Sequence, residues 1–155
     1  MRKTLDHVNQ KVVVQPSAVD VFEAIHTVMH LYRGGQYRDS PSDLTHLEGK
    51  VLGFFARHPG ATQKHLAVHS GRDKGQLARL IGSLRERGLL DARTDEEDRR
   101  SVRLQLTADG RADLQSLERR SRRIAERAVA DLSRDERGQL LALLSRVRAS
   151  LEQAT

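Results

Sequence analysis

Apolar residues recur along this chain at two different intervals, and the change of interval marks a change of structure. Ala18, Val21, Phe22, Ile25, Val28, Met29 and Tyr32 fall three or four apart, which places them on one stripe of a helix. The spacing predicts a first helix over 17–33, capped by Ser17 with Asp20. Gly34-Gly35 is expected to end it, because glycine readily takes the conformation just past a helix terminus. A polar loop runs to Asp43. Thr45 and Glu48 then have capping-box spacing, in which hydroxyl and carboxylate each satisfy an orphan backbone donor ahead of Leu47, Val51, Leu52 and Phe55. A second helix over 45–58 follows, stopped by His58-Pro59-Gly60. Thr62 caps a short helix over 63–70 carrying Leu66, Ala67 and Val68, and Gly71 makes the turn. The fourth helix, over 73–87, buries Leu77, Leu80, Ile81 and Leu84 and stops at Gly88. Two short helices joined by a tight glycine-containing turn form a helix-turn-helix.

Beyond Gly88 the interval drops to two, since Val102, Leu104 and Leu106 alternate with Arg103 and Gln105. A hairpin over 89–107 is expected, its tip the charged run from Asp95 to Arg100. Thr107 caps an arginine-rich helix over 108–132. Ser133 and Glu136 repeat the capping-box spacing before a helix over 134–153 with Leu140, Leu141, Leu143, Leu144, Val147 and Leu151. The predicted class is mainly α with a small β wing, a winged helix-turn-helix flanked by further long helices. Residues 1–16 read as an N-terminal extension before a single domain over 17–155.

Composition narrows the partners. Of 155 residues 37% are hydrophobic and 3% aromatic against 31% charged, a thin core for one domain that a second copy of the chain would thicken. A homodimer is therefore expected. The excess of 27 Lys+Arg over 21 Asp+Glu favours a polyanionic partner. With no cysteine, disulfide frameworks, thiolate catalysis and zinc ribbons are excluded. The apolar run Val12 to Val14 is too short for a signal-peptide core and no apolar stretch has membrane length, so a cytoplasmic protein without a membrane partner is expected.

Asp98-x-Arg100 followed by Leu106-Thr107-x-x-Gly110, and preceded by Arg79-Leu80-Ile81-x-x-Leu84-x-x-x-Gly88-Leu89, resembles the MarR family of winged helix-turn-helix regulators. The resemblance extends over residues 17–151. It implies a dimer built from the first, fifth and sixth helices, with the fourth helix and the wing touching double-stranded DNA. Gly75 and Ala78 stand where the family often has hydroxyl side chains, and Glu96-Glu97 makes the wing tip acidic, departures that bear on which operator is read.

Rotating the fourth helix by about 100° per residue sets Gly75, Arg79 and Gly82 opposite the apolar stripe, flanked by Gln76 and Ser83. Glutamine can pair with adenine and arginine with guanine or a phosphate. Lys64, Arg72 and Lys74 lie at helix starts, where backbone donors also receive phosphate. On the wing, Arg99, Arg100 and Arg103 suit a narrow minor groove. The resemblance assigns the contact to Arg100; the physical role expected of Asp98 is to orient that guanidinium by a charge-assisted hydrogen bond, which leaves Arg99 to a phosphate or to solvent.

Met29, Tyr32, Arg33, Tyr37, Phe54 and Phe55 lie where the resemblance implies a small-molecule pocket, and aromatic and basic side chains there would suit a small aromatic acid as effector. The same rings equally fit ordinary core packing. His26 with His30, and His65 with His69, have a one-turn spacing but no fixed third ligand, so no metal is assigned. There is no H-E-x-x-H, P-loop, G-x-G-x-x-G or G-x-S-x-G motif, and neither an enzyme nor a cofactor is expected. These features point to a ligand-responsive repressor that binds a palindromic operator as a homodimer. The alternative is an architectural DNA-binding protein without a ligand.

Overall fold

The structure, a computed structural model, describes residues 15–38 and 43–154. Most of the extension expected over 1–16, and Thr155, lie outside them. The elements are α1 (Ala18–Tyr37), α2 (His46–Arg57), β1 (Ala61–Thr62), α3 (Gln63–Ser70), α4 (Lys74–Glu86), β2 (Leu90–Thr94), β3 (Val102–Leu106), α5 (Ala108–Ala128) and α6 (Arg134–Ala154). The chain forms two compact units, residues 1–31 and 32–155.

In the first unit, the Ser17 amide donates to the Asp20 carboxylate at 2.7 Å and the Asp20 amide to the Ser17 hydroxyl at 3.2 Å, the expected cap of α1. Val19, Val28 and Leu31 are each more than 60% exposed on this helix.

The second unit begins with a correction. The helix does not stop at Gly34-Gly35 but continues to Tyr37. A Cβ on Gly35 would lie 3.1 Å from Ile124 of α5, and the Gln36 amide donates to the Ser121 hydroxyl at 2.8 Å. Contacts with α5 thus hold the last turn in place, and the glycine's missing side chain is what lets Ile124 approach.

Capping decides the next two starts. Thr45 and Glu48 form the expected box on α2, and Thr62 caps α3 with the His65 ring returning the bond. Gly71 closes α3 in the left-handed region at φ +64°. Leu66 is buried as expected, whereas Val68 is 80% exposed. Two residues further along a helix is about 200° around it, so Val68 points away from the face that Leu66 buries.

The wing strands pair antiparallel from Leu90↔Leu106 to Thr94↔Val102. Sequence reading missed β1, which adds to the other edge of β3 through Ala61↔Leu104 and Thr62↔Arg103. Two residues carry no periodicity to detect. Phe55, Leu52, Leu77 and Leu84 fill the centre of the core, joined by Leu66, Ile81, Leu104 and Leu106.

The fifth helix begins under tight constraint. The Thr107 hydroxyl accepts from the Gly110 amide at 3.0 Å and donates to the Gly88 carbonyl at 2.6 Å, while the Thr107 amide donates to the Leu89 carbonyl at 3.2 Å. A Cβ on Gly110 would lie 3.0 Å from the Leu89 carbonyl carbon and closer still to its oxygen. The helix ends at Ala128 rather than 132, because the backbone tightens into three-residue turns at Ala130 and Leu132 before Ser133 and Glu136 cap α6. No residue of α6 is buried.

Candidate nucleic-acid interface

Asp73 starts α4, its carboxylate accepting from the Gln76 amide at 3.0 Å. Leu77, Ile81 and Leu84 anchor the inner face, so Gly75, Ala78 and Arg79 are turned to solvent, with Gln76 and Gly82 half-buried at the flanks. Lys64, Arg72 and Lys74 are exposed beside them. The Gln63 side chain donates to the Lys74 carbonyl at 3.0 Å and ties the start of α3 to the start of α4.

Ser83 departs from this outward set. Its hydroxyl donates to Glu48 Oε1 at 3.2 Å, and the same oxygen accepts from Arg87 at 3.1 Å. Glu48 Oε2 meanwhile accepts from the Thr45 amide at 2.8 Å. A residue expected only to cap α2 therefore also holds α4. The signal in the sequence was thin: a serine and an arginine four apart, on the side of α4 that meets a capping glutamate.

Burial pushes the Glu48 carboxyl up, but the Thr45 hydrogen bonds, Arg87 and Ser83 outweigh it and hold it below its ordinary value. A carboxyl whose folded pKa is depressed adds stability that is present above its ordinary value of 4.5 and lost as pH falls through the folded value. Glu48→Gln should therefore cost about 1–2 kcal/mol at neutral pH and flatten the acid limb of melting temperature against pH. An acid limb identical to that of the unaltered protein would show that Glu48 does not carry it.

The wing tip also differs from expectation in detail. The Asp98 carboxylate accepts from the backbone amide of Arg100 at 3.0 Å, not from its guanidinium, and the Asp98 carbonyl accepts from the Ser101 amide at 2.8 Å. Asp98 shapes the turn and so aims Arg100 through the backbone. Arg99 and Arg100 are exposed. Arg103 is occupied: it pairs with Asp95 at 2.6 Å and donates to the Gly60 carbonyl at 3.2 Å. Its place opposite Thr62 turns it back over β1. The Glu97 amide first, and Arg103 after it, hold the Asp95 carboxyl below its usual range.

A cavity of about 580 Å³ opens among the end of α1, α2, α3, α4 and α5. Tyr37 and Phe54 line it, as expected of a pocket. Phe55 does not: at 1% exposure it is core, one position round α2 with Val51 and Leu52. Tyr32 and Arg33 are not among the lining residues, and Met29 belongs to the first unit. Sequence reasoning missed the polar lining, which includes His46, Lys50, Arg57, His69, Arg72 and Glu118. Lys50 and Arg57 come from α2 and Arg72 from the turn between α3 and α4, so no local motif announces them.

The His46 ring meets Tyr37 edge-on at 5.6 Å. Burial first, then Lys50, Arg33 and Arg72, hold its pKa below the usual 6.5. Its Nδ1 is buried with no hydrogen-bond partner. Burial likewise pushes the Tyr37 hydroxyl up. Phe54 is flanked by His58 at 4.8 Å and His69 at 5.1 Å. Among the described residues no three His, Cys, Asp or Glu side chains group as metal ligands, and no helix is long and apolar enough to cross a membrane.

The profile of the MarR family matches residues 42–101, from the start of α2 through the wing tip. A protein assigned to transcriptional regulation of the hcr operon in Thauera aromatica is 31% identical over 147 residues, covering 86% of this chain and 89% of that one. The chain belongs to the MarR family. Like its relatives in that family it is a DNA-binding transcriptional regulator. Solved MarR-type structures share the fold. The PcaV transcriptional regulator of Streptomyces coelicolor superposes with a TM-score of 0.73 at 24% identity, covering 89% of this chain and 99% of PcaV. A mutant of S. aureus MepR bound to an oligodeoxyribonucleotide gives 0.66 at 23% identity, covering 88% and 99%.

Proposed function

We propose that this MarR-family regulator is a repressor that binds a palindromic operator as a homodimer and lets go when a small aromatic carboxylate enters the cavity. One observation carries the reading. Leu77 and Leu80, which line the cavity, belong to the same helix that turns Gly75 and Arg79 outward, with Gln76 at their flank. A ligand packed against the inner face of α4 acts directly on the element whose outer face would read the major groove. The MepR relative bound to an oligodeoxyribonucleotide supports DNA as the partner. On this reading Lys64, Arg72, Lys74, Gly75, Gln76, Arg79, Arg99 and Arg100 face DNA, while Ser83 and Asp98 position them.

Footprinting of the DNA beside the chain's own gene tests the proposal. Protection of one short palindrome, released by aromatic acids at millimolar concentration, is the expected result. Continuous coating unaffected by any of these acids would establish the architectural alternative instead.

The wing supplies a sharper expectation. Arg100→Ala should weaken operator binding about tenfold to a hundredfold at fixed salt, the range of a specific arginine contact. Folding should be untouched, since the side chain is exposed. Arg99→Ala should mainly lower the salt dependence, by the amount of one phosphate contact. Titration of each variant at two salt concentrations reads both effects. If the two variants exchange behaviours, the contact belongs to Arg99.

A further inference from the structure

Arg72 belongs to two sites. It lines the cavity with His46, Lys50 and Arg57, and it is exposed at the start of α4 beside the outward-facing residues. Its backbone is fixed on both sides, by Gly71 in the left-handed region at φ +64° and by Asp73 as the N-cap of α4. Only the side chain has freedom. The guanidinium reaches Gln76 Oε1 at 3.5 Å, the outer limit of a hydrogen bond, and among the described residues no carboxylate pairs with it. Asp73, the nearest carboxylate in sequence, is committed to the Gln76 amide.

Turned toward Gln76, the guanidinium lies where a DNA phosphate would pass the start of α4. Turned inward, it joins Lys50 and Arg57 around a cavity in which Glu118 supplies the one carboxylate among the lining residues. Its field already reaches His46. Three cations facing a single carboxylate leave the cavity short of negative charge, which an entering anion would correct. A guanidinium fork fits a carboxylate and a phosphate equally well, with the same N–H groups.

Resting on the function proposed above, we propose that Arg72 is a toggle shared between operator and effector: a carboxylate in the cavity draws its guanidinium inward and so removes a phosphate contact from DNA. Release then needs no large movement of the fold. By linkage, operator and effector weaken each other by the same factor, and that factor resides largely in one side chain.

The experiment compares the unaltered protein with Arg72→Ala and Arg72→Lys, titrating the footprinted operator with and without saturating benzoate or 4-hydroxybenzoate and measuring acid binding by calorimetry. In the unaltered protein the acid should weaken operator binding about fivefold to tenfold, within the usual range of allosteric coupling. Arg72→Ala should start at that weakened affinity, and added acid should change it less than about twofold. Arg72→Lys should keep part of the effect, because lysine retains the charge without the fork. Circular dichroism confirms that each variant is folded. If Arg72→Ala responds to acid as strongly as the unaltered protein, the toggle is wrong while the ligand-responsive reading stands. If the unaltered protein binds neither acid, that reading fails and the toggle with it.

Discussion

Gly110→Ala should destabilise the protein by about 3 kcal/mol, the upper end of what overpacking costs, and lower its melting temperature by roughly 10 °C. A Cβ at this position collides with the Leu89 carbonyl, which is backbone and cannot rotate away. That carbonyl also accepts from the Thr107 amide, so any retreat breaks the bond that begins α5. The Thr107 hydroxyl would lose its place between the Gly88 carbonyl and the Gly110 amide in the same movement. Gly34→Ala provides the contrast, because a Cβ there meets nothing within 4 Å and lies in helix α1. It should stabilise by about 0.5–1 kcal/mol, since alanine is the better helix former. Thermal melts of the two variants give both values. Equal melting temperatures would mean that the base of the wing yields more easily than its geometry suggests.

Leu144→Asp should convert a dimer into a monomer with little loss of helix. Leu140, Leu141, Leu143, Leu144 and Leu151 of α6 are each exposed by at least 41%, and no residue of that helix is buried. A surface of this kind on a 21-residue helix is expected to be covered by a second copy. In a monomer the substitution would exchange one exposed side chain for another and change stability by no more than about 0.5 kcal/mol. In a dimer it places a carboxylate in an apolar interface with no partner, a penalty of about 2–5 kcal/mol for each of two symmetry-related sites. Light scattering should fall from twice the 17.5 kDa chain mass to that mass. Retention of the doubled mass would exclude this part of α6 from the interface.

What could be read in the sequence was what is locally determined. The boxes at Thr45 with Glu48 and at Ser133 with Glu136, the caps at Thr62 and Thr107, and the turn at Gly71 each involve residues at most four apart, and all form as expected. Features that depend on distant partners were lost. The end of α1 is set by Ile124 and Ser121, nearly ninety positions along the chain. Arg103 looked available for DNA because its partners, Asp95 across the hairpin and the remote Gly60 carbonyl, meet it only once the sheet has formed. Ser83 looked like a groove residue until Glu48 arrived from another helix. The outer face of α4 was legible from periodicity, but the cavity was only half so: Tyr37 and Phe54 were found, and the cations around them were not.

The packing of Gly110 on Leu89 also determines where motion can be absorbed. With the first turn of α5 seated on Leu89, the residue just before β2, the helix and the base of the wing are expected to swing as one lever. The far end is different. Between Ala128 and Arg134 the chain makes short turns that carry little packing, and dihedral changes concentrate at such element ends. If α6 is clamped to a second subunit, that break becomes the pivot. The distance between the two wings of a dimer would then be set by the angle at residues 129–133 multiplied by the full length of α5, about 30 Å for its 21 residues, so a swing of about 10° there would carry a wing by about 5 Å, close to the width of a minor groove.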